Sequence, residues 1–112
     1  MKTKDLTVEA LVALNIAVSA HFENEFGINR PHNLKLLQKQ SKQLQEKSDD
    51  YRFSYIASSL TKLKPFKSNN TRTAMLILAK YCEVNEQNAA TIAGMLKHGT
   101  DAENLAAALV SK

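Results

Sequence analysis

Apolar residues recur at helical spacing along most of this chain, and no stretch sustains the two-residue alternation of a strand. Leu11, Leu14, Val18 and Phe22 share one face. Thr7 stands before them as a cap, and Glu9 falls in the first turn, where the helix dipole favours negative charge. The pattern predicts a helix to about Asn24, with Gly27 as its stop. Ile28 to His32 reads as a loop. Asn33 is then the expected cap of a second helix carrying Leu34, Leu37 and Leu44; its many Gln and Lys residues place it on the surface. Ser48-Asp49-Asp50 offers a third cap, followed by the stripe Phe53, Ile56, Leu60 and Leu63. Pro65 ends that helix, because the residue before a proline is pushed out of helical geometry.

Ala74 to Ala79 is apolar on every side. A helix without a polar face needs enclosure, so this segment is expected to be the buried central helix, ending near Glu83-Val84. Asn85 is the expected cap of a fifth helix with Ala89, Ile92, Ala93 and Leu96, stopped at His98-Gly99. Thr100 to Glu103 reads as a capping box, in which the Thr hydroxyl and the Glu carboxylate each satisfy an orphan amide. A last helix carries Leu105, Ala106, Leu109 and Val110. The fold class is therefore all-α: about six helices in one domain, residues 1–112, around one central helix.

Composition agrees and narrows the function. Three Gly and two Pro disfavour a turn-rich β fold. No apolar run approaches the about 18 residues of a membrane span. Met1 to Asp5 leads into an amphipathic pattern rather than a signal core, so a cytoplasmic location is expected. The lone Cys82 has no disulfide partner and reads as a buried structural thiol. The net charge of +4 suits an acidic partner or a phosphate without giving a strong nucleic-acid signal. Basic residues fall in two groups. Lys35, Lys39, Lys42 and Lys47 fit a solvated face, whereas Lys62, Lys64, Lys67 and Arg72 surround one loop. His21, His32 and His98 lack metal-ligand spacing. Asp49 and Asp50 are better explained by capping than by acid–base chemistry.

That loop, Lys64-Pro65-Phe66-Lys67-Ser68-Asn69-Asn70-Thr71-Arg72-Thr73, runs directly into the apolar segment. The first amides of a helix have no internal acceptors and carry partial positive charge, so they suit phosphate. Arg72 adds a planar fork of donors matched to phosphate oxygens. Asn70 is placed to cap the helix or orient a ligand, and Phe66 to pin the loop by burying its ring.

The same ten residues resemble the Fic/Doc family loop H-P-F-x-[D/E]-G-N-[G/K]-R-[T/S], with Pro65, Phe66, Asn70, Arg72 and Thr73 matching in register. Leu6 to Leu14 is similar to the opening helix of the short Doc (death-on-curing) branch. Thr91-Ile92-Ala93, Lys97-His98-Gly99-Thr100 and Leu105 to Leu109 are similar to its closing helices. The resemblance implies an all-α fold that binds ATP at the loop and modifies a protein hydroxyl. Most of the family transfers AMP. The Doc branch phosphorylates a translation elongation factor and acts as the toxin of a toxin–antitoxin pair. A separate antitoxin protein and such a protein substrate are the implied partners.

Carried over by position, the resemblance is uneven. Asn70 and Arg72 take the phosphate-cradle and clamp positions. Lys64 replaces the catalytic histidine; an ordinary lysine is protonated at neutral pH and makes a poor base. Ser68 replaces the metal-binding acid, and a neutral hydroxyl is a far weaker ligand for Mg²⁺. Asn69 replaces a glycine whose left-handed turn an asparagine tolerates. Thr71 removes one phosphate contact. Three functions stay open: a Doc-like toxin or its relic with a nucleotide loop and impaired transfer, an active kinase-like transferase with altered chemistry, and a non-enzymatic interaction module on the same fold.

Overall fold

Among the described residues the chain forms six helices, α1 Val8–His21, α2 Pro31–Gln43, α3 Asp49–Leu63, α4 Asn70–Tyr81, α5 Ala89–Lys97 and α6 Ala102–Val110. This computed structural model describes residues 6–110, without the side chain of Val110. Met1 to Asp5 and the apolar contribution of Val110 therefore lie outside the described residues. Among those residues there is no strand, only an isolated antiparallel bridge between Ile28 and Phe66. No described helix is long and apolar enough to cross a membrane.

The caps read from short-range signals fall where expected in two places. Thr7 accepts a hydrogen bond from the Ala10 amide, and Ser48 accepts one from the Tyr51 amide. Three other caps are corrected. The second helix begins at Pro31, whose fixed φ suits a first helical position, and Asn33 instead donates to the Leu63 carbonyl at 2.8 Å. Asn85 closes a turn ahead of α5 by accepting from the amides of Gln87 and Asn88, so that helix starts later, at Ala89. At α6 the capping oxygen belongs to Asp101, which takes the Asn104 amide. Thr100 offers its carbonyl to the Ser58 hydroxyl at 2.8 Å.

Helix α1 stops at His21, before Asn24, and Gly27 is not its terminator. Glu23 takes the left-handed conformation at φ 56°. The amides of Glu23 and Asn24 bond back to Ala20 and Ser19, a Schellman closure without glycine. Gly99, at φ 76°, closes α5 in the same way through Leu96 and Met95.

The central helix is α3, not α4. It packs against α2, α4, α5 and α6, whereas among the described helices α4 meets α1, α3 and α5. Met75 and Leu76 of α4 are half-buried, Ala79 is exposed, and the helix ends at Tyr81. On α3, Phe53, Ile56, Ala57 and Leu60 are buried together with Arg52, Ser54, Ser58 and Thr61. The apolar stripe alone does not show that these polar residues are buried as well. Two of them are small hydroxyl residues whose bonds are met inside the fold: Ser58 donates to Thr100, and Thr61 donates to the Ser58 carbonyl at 2.7 Å. Small side chains let neighbouring helices approach, and satisfied hydroxyls remove the cost of burying them. Arg52 donates to the Ser41 carbonyl at 3.1 Å and its hydroxyl at 3.3 Å, tying α3 to α2, and that hydroxyl also receives the Leu6 amide.

Candidate functional site

The polar loop spans Lys64 to Asn69, shorter than its sequence pattern suggests, because Asn70, Thr71, Arg72 and Thr73 form the first turn of α4. It opens and closes on left-handed residues, Lys64 at φ 45° and Asn69 at φ 63°. Both positions cost a non-glycine residue free energy, and asparagine bears the cost better than lysine. The sharp turn that the Asn69 position requires is thus present.

Between these ends the loop is held by backbone pairing and one buried ring. Phe66 is 1% exposed and sits 6.3 Å from the Phe26 ring. The Pro65 carbonyl accepts from Asn29 at 2.7 Å and Arg30 at 2.9 Å, and the Lys67 amide donates to Gly27 at 2.9 Å. The carboxamide of Asn70 clamps the backbone of Phe66 from both sides, accepting its N–H at 3.1 Å and donating to its C=O at 2.9 Å. Asn70 is consequently a brace for the loop rather than a free ligand group or a cap.

The N-cap of α4 is Asn69, and among the described residues no side chain caps the helix. The amides of Asn70, Thr71 and Arg72 have no acceptor among the described residues, since the first amide of the helix to find one is that of Thr73, bonded to Asn69. Three unpaired N–H groups and the positive end of the helix dipole therefore meet at one point beside exposed Thr71 and Arg72.

The residues beneath the loop were not legible as site residues. Asn15 is 1% exposed on α1; its amide nitrogen donates to the Ser68 carbonyl at 3.1 Å and to the Thr73 hydroxyl at 2.9 Å. Asn69 donates to Asn24 at 3.0 Å and Ser19 at 3.3 Å. The available signal was Asn15 and Ser19, polar residues four apart among the apolar positions of α1, both now buried. Polar residues inside a buried stripe mark a hydrogen-bonded network.

Arg72 donates to Asn69 at 3.0 Å, and its guanidinium carbon lies 3.8 Å from the centroid of the Phe22 ring. From Arg72 a groove of about 520 Å³ runs between α1 and α4, walled by Ala17, Val18, Phe22, Met75, Leu76 and Ala79. Lys64 is exposed at the loop entrance. Ser68 offers a neutral hydroxyl that receives Asn69 at 3.4 Å, while its carbonyl is engaged by Asn15. Neither oxygen brings the charge a divalent cation needs, so the position does not suit Mg²⁺. The unpaired amides suit phosphate oxygens.

Most other sequence candidates lie apart from this loop, while His21 lines the groove that begins at Arg72. Among the described residues no group of three or more His, Cys, Asp or Glu converges on a metal-sized site. His21, His32 and His98 are exposed, as are Lys35, Lys39, Lys42 and Lys47. Cys82 is half-buried rather than buried. Burial first, then the Asp50 carboxylate, push its thiol up to about 12, so it stays protonated near neutral pH.

No family model, curated protein or solved structure matches this chain.

Proposed function

We propose that this chain is a Doc-like protein of the Fic fold, a toxin or the relic of one, whose loop binds the phosphates of a ligand such as ATP while its transfer chemistry is impaired. The observation that carries the reading is the uncapped start of α4. Its N-cap, Asn69, spends its carboxamide on Arg72, Asn24 and Ser19, which leaves the first-turn amides without a side-chain acceptor next to Arg72. An N-cap asparagine commonly accepts from the first-turn amides; α2 and α5 also start without a side-chain cap, and the adjacent Arg72 is what sets α4 apart. The impairment follows from composition: Lys64 supplies no base and Ser68 no carboxylate.

Isothermal titration with ATP tests the binding half. Arg72→Ala removes a charge-assisted donor worth about 1.5–3 kcal/mol, so affinity should fall about 10- to 100-fold. No detectable heat from the parent protein at millimolar ATP would overturn the reading. The chemistry has its own test. The double variant Lys64→His with Ser68→Asp restores a base and a metal ligand, and it should label a protein in lysate with phosphate or AMP where the parent does not. Absence of labelling from a folded double variant counts against the Doc-like assignment.

The groove between α1 and α4 favours a second reading, a protein-interaction module, with or without a nucleotide. Its wall includes Phe22, which is 45% exposed. A separate antitoxin-like partner belongs to this reading. Its signature is a partner that copurifies and stays bound after Arg72→Ala.

A further inference from the structure

We infer that Phe22 is a positioning residue for Arg72, holding the guanidinium ready to receive a phosphate-bearing ligand. The inference rests on the phosphate-loop reading and adds a residue that nothing in the loop itself contains.

Arg72 stands exposed in the first turn of α4, where an arginine would ordinarily sample many rotamers. Here two contacts fix it. One face of the guanidinium lies on the Phe22 ring, with its carbon 3.8 Å from the centroid, and one edge donates to Asn69 at 3.0 Å. No other hydrogen bond of Arg72 is formed among the described residues, so its remaining donors lie open beside the unpaired amides. A planar fork loses less freedom on binding when its orientation is set beforehand, and pre-organisation of this kind appears directly as affinity.

Phe22 is placed for this task by its own backbone. It follows the last residue of α1, and the left-handed Glu23 turns the chain away immediately after it. The ring is held edge-on by His21, 4.8 Å away at 85°. At 45% exposure it is one of the few large apolar side chains left in solvent, and burial gives a poor account of it. The same end of α1 supports the second contact, because Ser19 and Asn24 hold the Asn69 carboxamide that receives Arg72. One helix end thereby orients the cation through both its face and its edge.

The test is titration of the full chain with inorganic tripolyphosphate, alongside urea unfolding. Phe22→Leu keeps apolar bulk but removes the ring's negative face, and it should weaken binding about three- to tenfold. Phe22→Tyr keeps that face and should restore the parent affinity. Unfolding midpoints of the two variants should agree, since both side chains are half-exposed. A Phe22→Leu variant that binds like the parent, or a Phe22→Tyr variant as weak as Phe22→Leu, overturns the positioning role. Failure of the parent to bind tripolyphosphate overturns the phosphate-loop reading itself, a separate outcome.

Discussion

Phe53→Ala is expected to lower the stability of the fold by about 3–5 kcal/mol, the usual cost of deleting a large buried ring. Phe53 is 1% exposed on the central helix. Its ring stacks on Tyr81 of α4, with centroids 4.6 Å apart and planes 12° from parallel, and the Arg52 guanidinium lies 5.6 Å from it. Truncation therefore opens a cavity between the two helices that carry and support the loop. Small domains hold only about 5–15 kcal/mol in total, so the loss takes a large share of the stability. Urea unfolding followed by far-UV circular dichroism measures it directly. A loss below about 1 kcal/mol would mean that the α3–α4 seam can collapse around the gap, and that α3 is not the packing centre.

Asn15→Ala should cost about 2–4 kcal/mol and also disable the loop. It removes two donated hydrogen bonds at a site that is 1% exposed and strands the fully buried Thr73 hydroxyl. Leaving a buried polar group without a partner costs about 1–3 kcal/mol beyond the bonds themselves. Its second effect separates it from ordinary core damage. Asn15 holds the Ser68 carbonyl and so fixes the turn that aims the α4 amides. Hydrogen exchange at residues 68 to 72 should accelerate more than exchange in α3, and tripolyphosphate affinity should fall with it. Unchanged affinity in a destabilised variant would assign Asn15 to packing alone.

Asn15 also shows why part of the site was hidden in the sequence. The acceptors of its amide lie 53 and 58 residues away, and its only local partner among the described residues is Ser19, which donates to its oxygen at 3.4 Å. Apart from Ser19 and its place among the apolar positions of α1, nothing within one helical turn distinguishes it from a surface asparagine. Asn70 carried the opposite problem. Its type and position announced a cap, yet its carboxamide found the Phe66 backbone four residues back. That choice depends on the left-handed Asn69 and the buried Phe66, which set the loop's path.

Helix identity was legible because it rests on neighbours three or four residues apart. Thr7 and Ser48 cap as their side chains require, Pro65 follows the end of α3, and Phe66 buries its ring. Enclosure is a different kind of property. The apolar run Ala74 to Ala79 promised a central helix, but apolarity alone does not supply partners, and α4 was left with one face on a groove. Helix α3 became central through Ser58 and Thr61, whose hydroxyls bond within the fold and whose small size admits neighbours.

The sequence by itself determined an all-helical chain and a basic, polar loop ahead of an apolar helix, since periodicity, capping and charge act over one turn. Tertiary structure decided which helix lies at the centre, that Asn70 braces the loop instead of capping it, and that Arg72 rests on Phe22. Those outcomes depend on contacts between distant segments, and only the folded backbone brings the segments together.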